Sequence, residues 1–369
     1  MIYRLLWPAI SLLDPEAAHR LSVRALQFGA GALFAARNDP ASLRISVAGM
    51  RFGNPIGIAA GYDKDGVVVG PLLKLGFGHV EVGTVTPRAQ AGNPPPRLFR
   101  LSEDRAIINR MGFNNGGAAA LALRLSRSRP AGIVGISIGA NRDSADMAGD
   151  YVTAFDYVAP YADYIALNVS SPNTSGLRRL QERERLGDLL ARLGEARAKA
   201  ARALPVFLKV SPDVDAHGLE AIVETAVGAR LAGLIVSNTT AGARAGLRSA
   251  HAAEAGGLSG APLFRRSTEC LAEARRLAGA QLALVGVGGV SSARDAYEKI
   301  LAGASLVQLY TGLVYKGPGL VREIKHGLAR LLRSDGYADL SAAVGARVGP
   351  APSQAEPDSG DGGMPAMRA

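Results

Sequence analysis

The chain has 369 residues, 48% of them apolar, which is enough for one large domain or two ordinary ones with a sizeable core. Its 42 basic and 32 acidic side chains leave a net charge of +10, but the Arg residues are scattered along helix-like stretches, which reads as solvated faces and not as a nucleic-acid surface. A single cysteine, Cys270, and five histidines without paired spacing exclude an internal disulfide and a Cys-ligated cluster, and argue against a zinc site.

Residues 1–38 read as two short helices. Ile2, Leu5, Leu6, Ala9, Ile10 and Leu13 fall on one helical face, with Pro8 starting or kinking the helix. The second helix opens with Asp14 as N-cap, Pro15 at the first helical position and Glu16 in the first turn. Leu21, Ala25 and Phe28 then share a face opposite Arg20, Arg24 and Gln27. Such a pair either packs on the main domain or lies in a membrane interface, as short amphipathic helices with Arg beside Trp and Leu do. No run reaches the roughly 20 apolar residues of a membrane-spanning helix. The first apolar stretch, broken by Trp7-Pro8 and Asp14-Pro15-Glu16, is not a convincing signal peptide, so a cytoplasmic-side protein is expected.

From Gly53 onward a rhythm repeats. Eight short aliphatic runs, Ile56–Ala60, His79–Thr84, Gly132–Gly139, Tyr164–Ser170, Val206–Ser211, Gly233–Thr239, Leu282–Val290 and Leu306–Gly312, alternate with helix-length segments such as Leu180–Leu204 and Leu263–Leu277. Eight buried strands with crossovers predict a (β/α)8 TIM barrel spanning residues 39–335; a doubly wound open sheet would more often use fewer strands. The Gly, Ser, Asp and Pro of Pro350–Ala369 read as disordered, and the tail is expected to span residues 336–369.

Barrel enzymes place their chemistry at the C-terminal ends of the strands. Those ends here are polar in succession: Gly61-Tyr62-Asp63-Lys64, Gly83-Thr84, Ser137, Lys209, Ser237-Asn238-Thr239, Gly286–Gly289 and Tyr310-Thr311. The fourth, Asn168-Val-Ser-Ser-Pro-Asn-Thr-Ser-Gly176, packs amides and hydroxyls directly after a buried run, so they need partners. Taken alone it would be a polar turn capping the next helix; the other strand ends make it part of one polar mouth. Gly288-Gly289, with Gly256-Gly257 and Gly260, lets backbone approach a phosphate-bearing cofactor closely. Two long excursions cover the mouth, residues 85–131 with Asn109–Asn115, and residues 240–262.

In order and spacing, Ala59–Lys64, Glu81–Pro87, Arg97–Arg100, Asn109–Asn115, Asn168–Thr174, Ser237–Thr240, Gly256–Gly260, Gly286–Gly289 and Tyr310-Thr311 resemble the class 2, quinone-dependent dihydroorotate dehydrogenase family, from about residue 1 to 330. The resemblance implies oxidation of (S)-dihydroorotate to orotate in de novo pyrimidine synthesis, with FMN as prosthetic group and a membrane quinone as acceptor. It implies FMN contacts at Ala60, Gly61, Tyr62, Asp63, Lys64, Thr84, Ser137, Asn168, Lys209, Ser237, Gly260, Gly289, Tyr310 and Thr311. Substrate contacts would come from Lys64, Asn109, Arg110, Met111, Gly112, Phe113, Asn168, Asn173, Asn238 and Thr239. Ser171 stands at the family's general-base position, where class 1 relatives use Cys. His19, Arg100 and Tyr310 would flank the quinone head, and the two N-terminal helices would form its membrane-facing entrance. The implied location is peripheral, on the cytoplasmic face of the cell membrane, without an iron–sulfur partner subunit, a metal or nucleic acid.

Two departures stand out: Ser137 where many relatives have Asn, and Ser237 where many have Thr, each keeping a hydrogen-bonding group. Two other classes stay open. One is a flavin barrel such as a tRNA dihydrouridine synthase, whose catalytic Cys this chain does not place near a strand end. The other is a non-catalytic FMN- or phosphate-binding membrane protein.

Overall fold

The computed structural model describes residues 2–349 other than 36, 37, 129, 175 and 243. Helices α1 (Ile2–Leu12) and α2 (Pro15–Gln27) lead into a small antiparallel hairpin, β1 (Ile45–Val47) and β2 (Met50–Phe52). Asp14 caps α2 as expected, accepting from the Ala17 N–H at 2.8 Å. α1 runs through Pro8 without stopping.

The barrel strands are β3 (Ile56–Ile58) and β4 (His79–Val85), then, after the antiparallel pair β5 (Leu98–Leu101) and β6 (Ala106–Asn109), β7 (Ile133–Ile138), β8 (Tyr164–Asn168), β9 (Val206–Val210) and β10 (Gly233–Val236). After β11 (Gly257–Gly260) come β12 (Ala283–Val287) and β13 (Leu306–Leu309). The eight parallel strands close in the order β10-β12-β13-β3-β4-β7-β8-β9. All eight expected runs are strands, because strands covered on both faces read as near-continuous apolar sequence. Several end earlier than expected, β10 at Val236 and β13 at Leu309, where the polar and glycine residues leave the ladder.

The barrel floor is filled by rings. Tyr164 and Phe207 stack edge-on at 5.3 Å, and His79 lies edge-on to Phe52 and Tyr164. Gly57 and Gly135 make room, since a methyl group on either would meet the His79 or Tyr164 ring at 2.0 Å. The register sets Asn168 beside Lys209, and Lys209 beside Ile235. Those pairings fix the height of two polar side chains at the top of the barrel.

The excursions form a separate three-stranded sheet, unforeseen from the sequence, with β11, β6 and β5 antiparallel over their own core of Phe99, Leu101, Ala106, Ile108 and Leu258. The expected tail boundary at residue 336 falls too early. Leu340–Ala343 is a helix capped by Asp339, and Leu340 and Ala343 are buried because they complete the core beneath the last helices. Pro350–Ala369 lies outside the described residues.

α2 buries Leu26 and packs Val23 on the core, whereas Leu21 and Phe28, on the shared apolar face, are exposed, as the membrane-interface alternative requires. An ion pair also ties the helix to the excursion before β5: Arg97 Nε and Nη2 donate to Glu16 at 3.0 and 2.8 Å.

Candidate active site

One cavity of about 500 Å³ runs from between the N-terminal helices into the barrel mouth. Its apolar end is lined by Leu6, Ile10, Leu13, Ala18, Leu21, Ala25 and Phe34, and its polar end by strand-end residues. Among the described residues lining it, Lys64, Arg100 and Lys209 are cationic and none is acidic. That charge pattern suits anionic guests.

At the polar end a chain of hydrogen bonds crosses four strands. Ser137 and Thr84 hydroxyls lie 2.9 Å apart; Asn168 Nδ2 donates to Thr84 Oγ1 at 2.8 Å, and Asn238 Nδ2 donates to Asn168 Oδ1 and Ser170 Oγ, each at 3.0 Å. Tyr151 OH donates to the Asn168 carbonyl at 2.7 Å, pinning the strand end from behind. Each amide is thereby held in one orientation, which is how a site keeps its donors aimed before a ligand arrives. Ser171 lines the cavity beside them, its Oγ accepting from the Asn173 N–H at 3.3 Å.

The loop Asn109–Asn115 closes this end. Asn173 Nδ2 donates to Asn109 Oδ1 at 3.2 Å, Asn93 Nδ2 to the Arg110 carbonyl at 2.9 Å, and Gln90 Nε2 to the Gly112 carbonyl at 3.0 Å. Gly112 and Phe113 both have positive φ, the tight bend that turns Met111, Gly112 and Phe113 into the cavity.

The two lysines differ. Lys64 donates to the Gly61 carbonyl at 2.9 Å, and burial pulls its ammonium down to about 8. Lys209 rises from the barrel interior, where its ammonium lies 3.6 Å from Glu81 Oε1. Glu81 Oε2 in turn accepts from Gln308 Nε2 at 2.8 Å and Tyr164 OH at 3.1 Å. Lys209 is therefore anchored beside a buried carboxylate while lining the cavity above. The Glu81 group was not picked out from the sequence; a glutamate inside an all-buried strand run was the available signal.

At the far end Tyr62, Tyr310 and His19 cluster, with rings 5.3 to 6.3 Å apart. Burial, helped by the Lys64 charge, pushes the His19 imidazole down to about 3. Arg100 donates to the Ser11 and Leu13 carbonyls at the end of α1, and its buried Nε has no protein partner among the described residues.

Of the residues expected at the site, Asp63, Ser137 and Arg110 do not line the cavity. The Asp63 carboxylate accepts from the Val67 and Val68 N–H groups, both at 2.8 Å, and shapes the loop after β3. Ser137 is fully buried behind Thr84. Arg110 turns away to Glu254 at 2.8 Å and lies over the Phe99 ring. The remaining expected residues, Ala60, Gly61, Tyr62, Lys64, Thr84, Asn109, Met111, Gly112, Phe113, Asn168, Ser171, Asn173, Lys209, Ser237, Asn238, Thr239, Gly260, Gly289, Tyr310, Thr311, His19 and Arg100, share it. No group of three or more His, Cys, Asp or Glu suited to a metal ion occurs among the described residues.

Fold and cavity define a (β/α)8-barrel protein with a single composite mouth, apolar outside and polar within. The family model "Dihydroorotate dehydrogenase" matches residues 42–332. The chain is 53% identical over 346 residues to the dihydroorotate dehydrogenase (quinone) of Rhodospirillum rubrum, covering 93% of this chain and 94% of that protein. It is 54% identical over 350 residues to the enzyme of the same name from Parvibaculum lavamentivorans, covering 94% and 99%. A solved structure of ligand-free DHODH from Eimeria tenella superposes with a TM-score of 0.87 at 35% identity, covering 90% of this chain and 99% of that one. The chain belongs to the dihydroorotate dehydrogenase family, and the two bacterial relatives named here are quinone-dependent members of it.

Proposed function

We propose that the chain oxidises (S)-dihydroorotate to orotate with FMN as prosthetic group and a membrane quinone as electron acceptor, in de novo UMP biosynthesis. The observation that carries this is the composite cavity: Ser171, Lys64 and a fixed set of amides at one end, an apolar helix-lined passage at the other, with three cationic side chains and no acid between them.

The residues fit FMN. The glycine-rich segments at Gly260 and Gly289, with Tyr310 and Thr311, offer backbone N–H groups to a phosphate. Lys209, buried beside Glu81, would sit at the ring edge where negative charge develops on reduction, and Ala60, Gly61, Thr84, Asn168 and Ser237 would surround the ring. When bound, FMN supplies the acceptor for the hydride leaving C6 of the substrate.

Lys64 meets the substrate carboxylate. Asn109, Asn168, Asn173, Asn238 and Thr239, with the backbone of Met111–Phe113, pair with the imide edge of a flat pyrimidine, for which amide side chains offer donor and acceptor together. Ser171 Oγ takes the C5 proton as its own proton passes to water. A serine is a weak base, so its positioning by the Asn173 N–H and a relay must carry the rate. Asp63, Ser137 and Arg110 act one step back: they shape the loop after β3, orient Thr84 and pin the substrate loop.

The quinone head would reach the site between α1 and α2, near His19, Tyr310 and the unspent Arg100 Nε. Leu5, Leu12, Phe28 and Leu33, each at least 80% exposed, make this end of the molecule a surface for the lipid interface and support peripheral attachment; the face we propose is the cytoplasmic one. No helix among the described residues is long and apolar enough to cross a membrane. The visible spectrum of purified protein before and after anaerobic dihydroorotate tests the reading. A flavin band that bleaches supports it; protein without flavin, or a band indifferent to dihydroorotate, overturns it.

A further inference from the structure

Another buried cation lies just outside the cavity. Lys299, on the helix Ala293–Leu301, is fully buried. Its ammonium donates to Ser267 Oγ at 2.6 Å and lies 5.1 Å from the Phe264 ring centre. No carboxylate pairs with it among the described residues; Asp295, on the same helix, is taken by the Ser291 N–H and hydroxyl at 2.9 and 3.0 Å. Ser267 is also fully buried, and its hydroxyl reaches the Phe264 and Gly288 carbonyls at 3.1 and 3.2 Å.

This group backs the double-glycine loop. A methyl group on Gly288 would meet Ser267 Oγ at 2.7 Å, and one on Gly289 would meet the Phe264 backbone nitrogen at 2.8 Å. The loop is thus pressed against the first turn of the 15-residue helix Phe264–Ala278, and Lys299 sits directly behind both. An uncompensated buried ammonium is costly to the fold, and burial pulls this one down to about 7. An anion on the cavity side of the loop would offset that cost, and the helix N-terminus at Phe264 lies against the same loop.

We propose that Lys299 is a positioning residue for the cofactor phosphate: through Ser267 it fixes the Gly288-Gly289 loop, and its charge supplies the cationic background that selects a phosphorylated flavin. The proposal rests on the FMN reading above. It predicts selectivity, because charge acts on the phosphate whereas packing acts on any flavin.

The test uses the full chain loaded with FMN or with riboflavin, and flavin release on dilution followed by fluorescence. For Lys299→Met the expected result is FMN affinity at least tenfold weaker with riboflavin affinity unchanged. Ser267→Ala, which keeps the charge but cuts the link to Gly288, is expected to give a smaller loss, again confined to FMN, and carries the test if Lys299→Met does not fold. Equal weakening of both flavins would mean packing alone and overturn the proposal, as would unaltered FMN affinity. Equal affinity of the unaltered protein for FMN and riboflavin would remove the phosphate reading itself, and the proposal with it.

Discussion

The two ends of the cavity are built by different rules. At the polar end the amides are held in place: Asn168 by Thr84, Asn238 and Tyr151, and the substrate loop by Asn93 and Gln90. At the apolar end leucines stand exposed, Arg100 Nε is unspent, and α2 is fastened chiefly by Glu16 to Arg97 and a few core contacts. The first end is a rigid frame that suits proton transfer, which needs placement. The second is a loosely attached gate that suits entry of an apolar molecule, which needs access. The difference teaches that one cavity serves two half-reactions by dividing them spatially, so each end should fail without the other.

The largest effects should therefore be reciprocal. Ser171→Ala is expected to slow reduction of the flavin by dihydroorotate by about 10²- to 10⁴-fold, the usual worth of a positioned acid–base group, while leaving flavin content unchanged. Deleting residues 1–38 is expected to abolish quinone turnover and membrane association while flavin reduction by dihydroorotate persists. Stopped-flow traces of the two half-reactions decide both. If either change disables the two half-reactions equally, the division is wrong.

A smaller effect sharpens the polar end. Lys64→Met removes a charge-assisted bond worth about 1.5–3 kcal/mol, so kcat/KM for dihydroorotate should fall roughly ten- to hundred-fold. In the unaltered protein the same group gives a pH signature. Its ammonium, lowered by burial to about 8, loses its charge as pH rises through that value, and kcat/KM should decline there. A profile flat from pH 7 to 9 would remove Lys64 from carboxylate binding.

The same contrast explains what could be read from the sequence. The eight barrel strands were legible because parallel, doubly covered strands are apolar throughout, and the polar residues closing each run announced the mouth. The sheet β5, β6 and β11 was not, because its strands are four residues long and Asn109 pairs with Gly257, almost 150 positions away. No local pattern encodes such a partner. Asp63 and Arg110 were legible as polar residues near a strand end, but not the direction in which they point. Backbone N–H groups at Val67 and Val68 claim one, and Glu254, on the other excursion, claims the other. On α2 the helical period was legible, but not whether its apolar face packs on the domain or is left open. A helix bordering a cavity exposes apolar residues that periodicity alone would assign to the core.

The smallest predicted effect concerns His19, at the apolar end. Burial and the neighbouring Lys64 charge hold its folded value near 3, against an ordinary 6.5, so it stays neutral throughout the working range. Quinone turnover should accordingly show no inflection from it between pH 5.5 and 7.5. Stability should, and the sign follows from proton counting. Below about pH 6.5 the unfolded chain binds a proton at His19 that the folded chain refuses until about 3, so stability drains away as pH falls through that window. His19→Gln removes the titrating ring and should make the acid limb of a Tm-versus-pH curve shallower, by about 1–2 kcal/mol between pH 6.5 and 5. An unchanged limb would mean that water reaches the imidazole and charges it in the folded protein. The gate would then be wetter than an apolar passage allows, and the contrast between the two ends would weaken at the residue where they meet.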